Sequence, residues 1–216
     1  MSILAQIEKR AAVSHLQCVG IASVQKEDGL REDIRSVVLL APMEPKFWPH
    51  FQTSPECTDA APDPLDRWSR RVIGGMACDL GAKAVFPFGG PPYRPFLAWA
   101  LRSGECWSSP VGLLVHHTAG LFISFRGAIA LTDVIAPRKA VQPCQTCAAK
   151  PCRDACPVAA LTPQGYDVPR CHAYLETEPG QDCMTKGCAV RRACPVGAGS
   201  RRPEQSAFHM KAFHPS

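Results

Sequence analysis

The sequence predicts an α/β (α+β) protein, a layered sheet with helices followed by a small bacterial-ferredoxin-like dicluster module. Three observations carry that expectation. Helical and extended apolar patterns interleave up to Pro137. Eight of the twelve cysteines fall between Cys144 and Cys194. Each half of that cysteine run closes on Cys-Pro, at Cys156-Pro157 and at Cys194-Pro195. The order helix, strand, strand, helix, strand, helix, hairpin calls for a sheet covered by helices, with the cysteine-rich module on its C-terminal side. The expected division is 1–137 for the sheet domain, 138–200 for the module and 201–216 for a tail helix.

The elements follow in order. Ile3, Leu4, Ile7, Ala11 and Leu16 recur near helical spacing behind Ser2, a good N-cap, and predict a helix over 2–16. Gln17–Val24 reads as a strand, and Lys26–Arg31, containing Asp28-Gly29, reads as a turn. Ser36–Ala41 (SVVLLA) is a continuous apolar run of the kind buried on both faces of a sheet, hence a central strand. Six prolines between Pro42 and Pro64 leave room only for short regular structure, with Phe47, Trp48 and Phe51 as aromatic anchors. Leu65, Trp68, Val72, Ile73, Met76 and Leu80 then line one face of a helix over 64–80. Asp63-Pro64 starts it and Gly81 stops it. Lys83–Phe88 is a strand, Gly89-Gly90-Pro91-Pro92 a rigid turn, and Pro95–Arg102 a helix. Val111–His117 and Leu121–Thr132, joined by Thr118-Ala119-Gly120, read as a β-hairpin. Within the module, Pro157–Leu161 is expected as a helical turn, Tyr166–Val168 as extended chain, and Pro169–Leu175 as a helix carrying Cys171. Gln205–Phe213 is the expected last helix.

Composition narrows the function classes. A chain of 216 residues, 46% hydrophobic and 20% charged, is an ordinary globular mixture with length enough for a real core. No apolar run approaches the ~18 residues of a membrane span, so no membrane association is expected. Nothing at the N-terminus reads as a secretion signal, so a cytoplasmic location with reduced thiols is expected. The net charge of +5 is unevenly spread. From Cys183 onward Lys186, Arg191, Arg192, Arg201, Arg202 and Lys211 stand against one acid, Glu204. Such a face attracts an acidic electron donor such as a flavodoxin or ferredoxin, or an RNA backbone. It also reads as a solvated tail that offsets anionic clusters.

The cysteines carry the chemistry. Cys144, Cys147, Cys152 and Cys156 form a tight run, and Cys171, Cys183, Cys188 and Cys194 a looser one. In a two-cluster ferredoxin arrangement the first three thiolates of a run hold one iron-sulfur cube, and the cysteine before the proline ligates the other. That assigns Cys144, Cys147, Cys152 and Cys194 to a first 4Fe-4S cluster, and Cys156, Cys171, Cys183 and Cys188 to a second. Tetrahedral four-thiolate zinc is the competing reading. Zinc accounts for neither the repeated Cys-Pro endings nor the three-residue step before the first of them.

Other candidates are weaker. His116-His117 at a strand end could offer an imidazole to a metal or to cobalt, or could be a pair with one ring buried. His172 and His209 lie near the module, His172 as a hydrogen-bonding partner of a sulfur or the surface. Cys18 and Cys78 are expected in strand and helix cores, Cys57 in neither pattern. Cys106, beside Trp107, is the candidate reactive thiol, with Arg102 as its positive neighbour. Tyr93 reads as packing in a Pro-rich turn, or as a proton donor.

Taken together, Cys147 to Pro157, Arg170-Cys171-His172-Ala173-Tyr174-Leu175 and Gly187-Cys188 to Cys194-Pro195 resemble the epoxyqueuosine reductase family. The resemblance extends back through Arg102-Ser103-Gly104-Glu105-Cys106-Trp107 and Leu131-Thr132-Asp133, over about residues 64 to 200. It implies a nitroreductase-like, cobalamin-binding domain joined to a module with two 4Fe-4S clusters. Three departures stand out, one of them the looser spacing of the second cysteine run. The middle step of the first cysteine run is four residues rather than the family's two, and the turn Val85–Pro92 holds no acid where the family carries its catalytic Asp. General acid catalysis contributes on the order of 10^2 to 10^4 in rate, so the same reaction is not expected. The functional expectation is an iron-sulfur electron-transfer protein. Its alternatives are a cobalamin-dependent oxidoreductase acting on a different small-molecule substrate, and a zinc-stapled nucleic-acid-binding module.

Overall fold

Every residue of Ser36–Pro42 is buried, and the first of two units is built around that strand. The computed structural model describes residues 1–162, 164–200 and 202–214. Its chain divides into one unit of Met1–Cys106 with Ser124–Ala140 and another of Trp107–Ile123 with Val141–Ser216. The segment between the two parts of the first unit thus belongs with the cysteine-rich one.

In the first unit α1 (Ile3–Val13) is capped by Ser2, whose Oγ accepts from the Ala5 N–H at 3.3 Å. It leads into β1 (Leu16–Ser23) and, after a 3-10 turn at Lys26–Asp28, β2 (Ser36–Pro42). The proline-rich stretch holds two short helices, α2 (Phe47–Gln52) and α3 (Pro55–Thr58). The long amphipathic helix is α4 (Pro64–Asp79), followed by β3 (Lys83–Val85), α5 (Phe96–Arg102) and β4 (Cys106–Ser108). Next come β5 (Leu114–His116), in the segment that belongs to the second unit, and β6 (Gly127–Leu131), back in the first. The main sheet runs β1-β2-β6-β3 and is antiparallel throughout, with Val38 opposite both Ile21 and Ile129. β6 is buried along its whole length, as β2 is. The helices α1 and α5 pack on β1, and α4 packs on β3 and β6.

The expected hairpin of 111–117 with 121–132 does not form. His116 and Gly120 make only an isolated bridge, β5 pairs with β4, and β6 joins the main sheet beside β2. The reason is packing. Ala128, Ile129, Ala130 and Leu131 are apolar on both faces, and β2, equally apolar, offers the partner that buries both. β3 ends at Val85 rather than at Phe88. Phe86 and Phe88 instead pack together at 5.3 Å under the Arg70 guanidinium.

Aromatic residues dominate this core. Trp68 of α4 meets Phe47 and Phe51 of α2 edge-on, at 5.3 and 6.2 Å. The bulge between Cys18 and Gly20 brings β1 against the end of α5, where a Cβ on Gly20 would lie 2.8 Å from the Ser103 side chain. Asp28, 3% exposed, accepts from Arg102 Nη2 at 2.5 Å and from the Gln25 N–H at 2.8 Å. Cys78, expected inside the α4 core, is exposed because its position falls on the outer face of that helix.

The second unit is a chain of short elements. Besides β5 these are α6 (Pro143–Thr146), β7 (Leu161–Thr162), β8 (Gly165–Tyr166), α7 (Val168–Leu175), α8 (Gln181–Lys186), α9 (Ala189–Ala193) and α10 (Pro203–Phe213). The expected helical turn after Pro157 is replaced by a tight turn with Ala159 at φ 49°, which feeds the β7–β8 ribbon. Among the described residues this unit buries nine apolar side chains, three of them cysteines, and every fully buried aromatic belongs to the first unit. No helix of the described residues is long and apolar enough to cross a membrane.

Candidate metal centre

The cysteines are placed by short turns rather than long elements. Pro143 starts α6, so that Cys144 sits in its first turn and Cys147 closes it. The four-residue step that follows contains Lys150 at φ 42°, a left-handed reversal just before Pro151. That reversal turns Cys152 back toward the same cavity. In the second run, Asp167 caps α7 by accepting from the Arg170 N–H at 3.0 Å, which sets Cys171 in the next turn. Cys183 lies in α8, and Cys188 and Cys194 are the N-cap and C-cap of α9.

These turns gather the thiols into two groups. Cys144, Cys147, Cys152 and Cys194 line one cavity, closed by Pro110, Val115 and Leu121 and with prolines 143, 151 and 195 between the thiols. Burial pushes the Cys144 thiol up, and Cys152, Cys194 and Cys147 push it further. The second group is Cys156, Cys171, Cys183 and Cys188. Burial pushes the Cys171 thiol up, Tyr166 opposes the shift, and Cys188, Cys156 and Cys183 reinforce it. Each group therefore mixes one run with a cysteine from the other: Cys194 stands with the first three, and Cys156 with the later ones.

Thiols close enough to push up Cys144 and Cys152 in one group, and Cys171 and Cys183 in the other, are a poor arrangement by themselves, because ionising one makes the next harder. A bound cationic centre relieves this by holding all four as thiolates. The spacing bears on which centre. Tetrahedral zinc, with Zn–S near 2.3 Å, needs its sulfurs about 3.8 Å apart. Among the described residues no three cysteine sulfurs lie within 4.8 Å of one another, and none of the twelve cysteines is in a disulfide.

Donors face the second group. The Ala160 N–H donates to Cys156 Sγ at 3.2 Å, and the Tyr166 hydroxyl to Cys171 Sγ at 3.1 Å. Burial raises the Cys183 thiol against the opposing effect of the Ala189 N–H and the Arg192 guanidinium. Lys186 and Arg192 both pair with Asp182, so two of the six cations of the tail are spent locally. Arg201 lies outside the described residues.

The remaining candidates divide as follows. His116 is buried, and its Nδ1 accepts from the Thr118 and Ala119 N–H groups at 3.2 and 3.1 Å. Those bonds make Nδ1 the acceptor and put the neutral ring's proton on Nε2. His117 is half-buried beside it, with ring centroids 4.4 Å apart. His172 follows Cys171 in α7. Its ring packs edge-on against Phe213 at 4.7 Å, and its Nε2 has no hydrogen-bond partner among the described residues. His209 packs on Phe208. Burial, with Glu105 adding, pushes the Cys106 thiol up to about 12, and its expected positive neighbour Arg102 is committed to Asp28, both of which disfavour a reactive thiolate there. Cys18 is likewise pushed up by burial, to about 11, and Cys57 is half-buried. Tyr93 is 68% exposed and lies over Gly90 in its own turn, far from the role of a buried proton donor.

Sequence reasoning missed Gly120. At φ 58° it presses against the second cysteine run, where a Cβ would lie 2.3 Å from the Val196 carbonyl and 3.1 Å from Cys194 Sγ. The Thr-Ala-Gly turn was visible, but not what it packs against. Compared with models of protein families and with curated proteins, the chain gives no match.

Proposed function

We propose that the second unit binds two 4Fe-4S clusters and that the protein is a one-electron carrier of the two-cluster ferredoxin type. The observation that carries this reading is the sorting of eight thiols into two groups of four, each joining one cysteine run to a member of the other. Cys144, Cys147, Cys152 and Cys194 would hold one cluster, and Cys156, Cys171, Cys183 and Cys188 the second. When bound, such clusters accept and release single electrons. The protein's own groups shield them, with apolar walls around the first group and N–H and O–H donors at the second. Arg191 and Lys211 add positive charge to this unit, which favours docking of an acidic flavodoxin- or ferredoxin-like donor.

Anaerobic purification with iron and sulfide quantitation tests the reading. The expected result is about eight irons per chain, four for each cube, and a brown absorption that bleaches with dithionite. A colourless protein containing zinc overturns it. Titration with cobalamin tests the related reductase reading, which requires a spectral shift on binding.

A further inference from the structure

Tyr166 is 41% exposed, yet its hydroxyl is held at a fixed place. It ends the β7–β8 ribbon, where Leu161 pairs with Tyr166 and Thr162 Oγ1 donates to the Gly165 carbonyl at 2.9 Å. Its ring stacks on Phe213 at 6.0 Å and 10°. Phe213, at the end of α10, is braced in turn by the edge of His172 at 4.7 Å. Ribbon and helix thus aim the phenol oxygen at Cys171 Sγ, 3.1 Å away. A thiolate bound to metal carries no proton, so the tyrosine is the donor in that bond.

Resting on the reading that Cys171 ligates a cluster, we infer that Tyr166 is a positioning residue that sets the reduction potential of the cluster held by Cys156, Cys171, Cys183 and Cys188. Reduction adds negative charge, which spreads onto the ligating sulfurs. A hydrogen bond to one of those sulfurs stabilises the reduced state more than the oxidised state and raises the potential. The hydroxyl's hydrogen bond goes to Cys171 Sγ, so its effect falls on the cluster that Cys171 would ligate.

The test is Tyr166→Phe, which keeps the ring and its stack on Phe213 and removes only the donor. Redox titration followed by electron paramagnetic resonance, with dithionite as reductant, reads both clusters separately. The reduction equilibrium of one cluster should become about tenfold less favourable, a negative shift of about 59 mV for a one-electron couple. The second cluster should not move, and iron should stay near eight per chain. Full iron with both potentials unchanged overturns the inference and leaves the cluster reading intact. Absence of iron from the unaltered protein overturns the cluster reading itself. Should the Phe variant fail to hold iron, protein carrying 3-fluorotyrosine at its three tyrosines decides the matter. The more acidic phenol is the stronger donor, so the potential of one cluster should rise. An unmoved potential refutes the role of Tyr166.

Discussion

Crossed ligation is tested by two double substitutions that remove the same number of thiols. Cys144 and Cys194 fall in one group, so Cys144→Ala with Cys194→Ala strips two ligands from one cluster and none from the other. Cys144 and Cys156 fall in different groups, although only twelve residues apart, so Cys144→Ala with Cys156→Ala damages both. Iron should fall from about eight per chain to about four in the first variant and toward zero in the second. Packing does not account for the contrast. Trimming a cysteine to alanine costs about 1 kcal/mol where it is buried, and Cys144 and Cys156 are both only partly so. The assay is iron and sulfide content of protein reconstituted anaerobically, with circular dichroism to show that both variants fold. The reverse pattern, four irons retained in the Cys144/Cys156 variant, would refute crossing.

Stripping the metal by chelation under dithionite should unfold the second unit and spare the first. Nine buried apolar side chains are too few to support the second unit alone, so far-UV ellipticity should drop while the buried Trp48, Trp68 and Trp99 keep their blue-shifted fluorescence. Gly120→Ala should destabilise the second unit by about 2–4 kcal/mol, combining the left-handed φ with overlap on the Val196 carbonyl. Melting that matches the unaltered protein would contradict this. Asp28→Asn should cost about 3 kcal/mol by leaving Arg102 without its carboxylate. It should also flatten the acid limb of the stability curve. Burial raises the Asp28 carboxyl, but the bonds from Arg102 and Gln25 outweigh it and hold the group below its usual range. A depressed folded value means stability that is present at neutral pH and lost as pH falls through that value. Thermal melts from pH 7 down to pH 3 should therefore slope less in the variant.

Much of this was legible in the chain because the signals were local. The SVVLLA run could be read as a doubly buried strand, since six consecutive residues rich in β-branched and aliphatic side chains, with no polar alternation, suit the middle of a sheet. The periodicity of 64–80 and its Asp-Pro start specified α4. The cysteine spacings with their Cys-Pro endings picked out a candidate ligand set before any geometry. Non-local pairing was not legible. Nothing in 121–132 says that its apolar strand prefers β2 over its sequence neighbour, because that choice depends on which partner buries both faces. The short helices α8 and α9 were unmarked as well, since five or six residues carry too little periodicity to recognise.

The sequence by itself determined the candidate ligands, the buried central strand and the chemistry open to eight clustered thiols, because each is written in residue type and spacing. Only the tertiary structure decided which thiols share a cavity, that Gly120 abuts Cys194, and that Tyr166 reaches Cys171. Those are contacts between segments far apart or turned by single residues, and their geometry is set by how many small turns pack together.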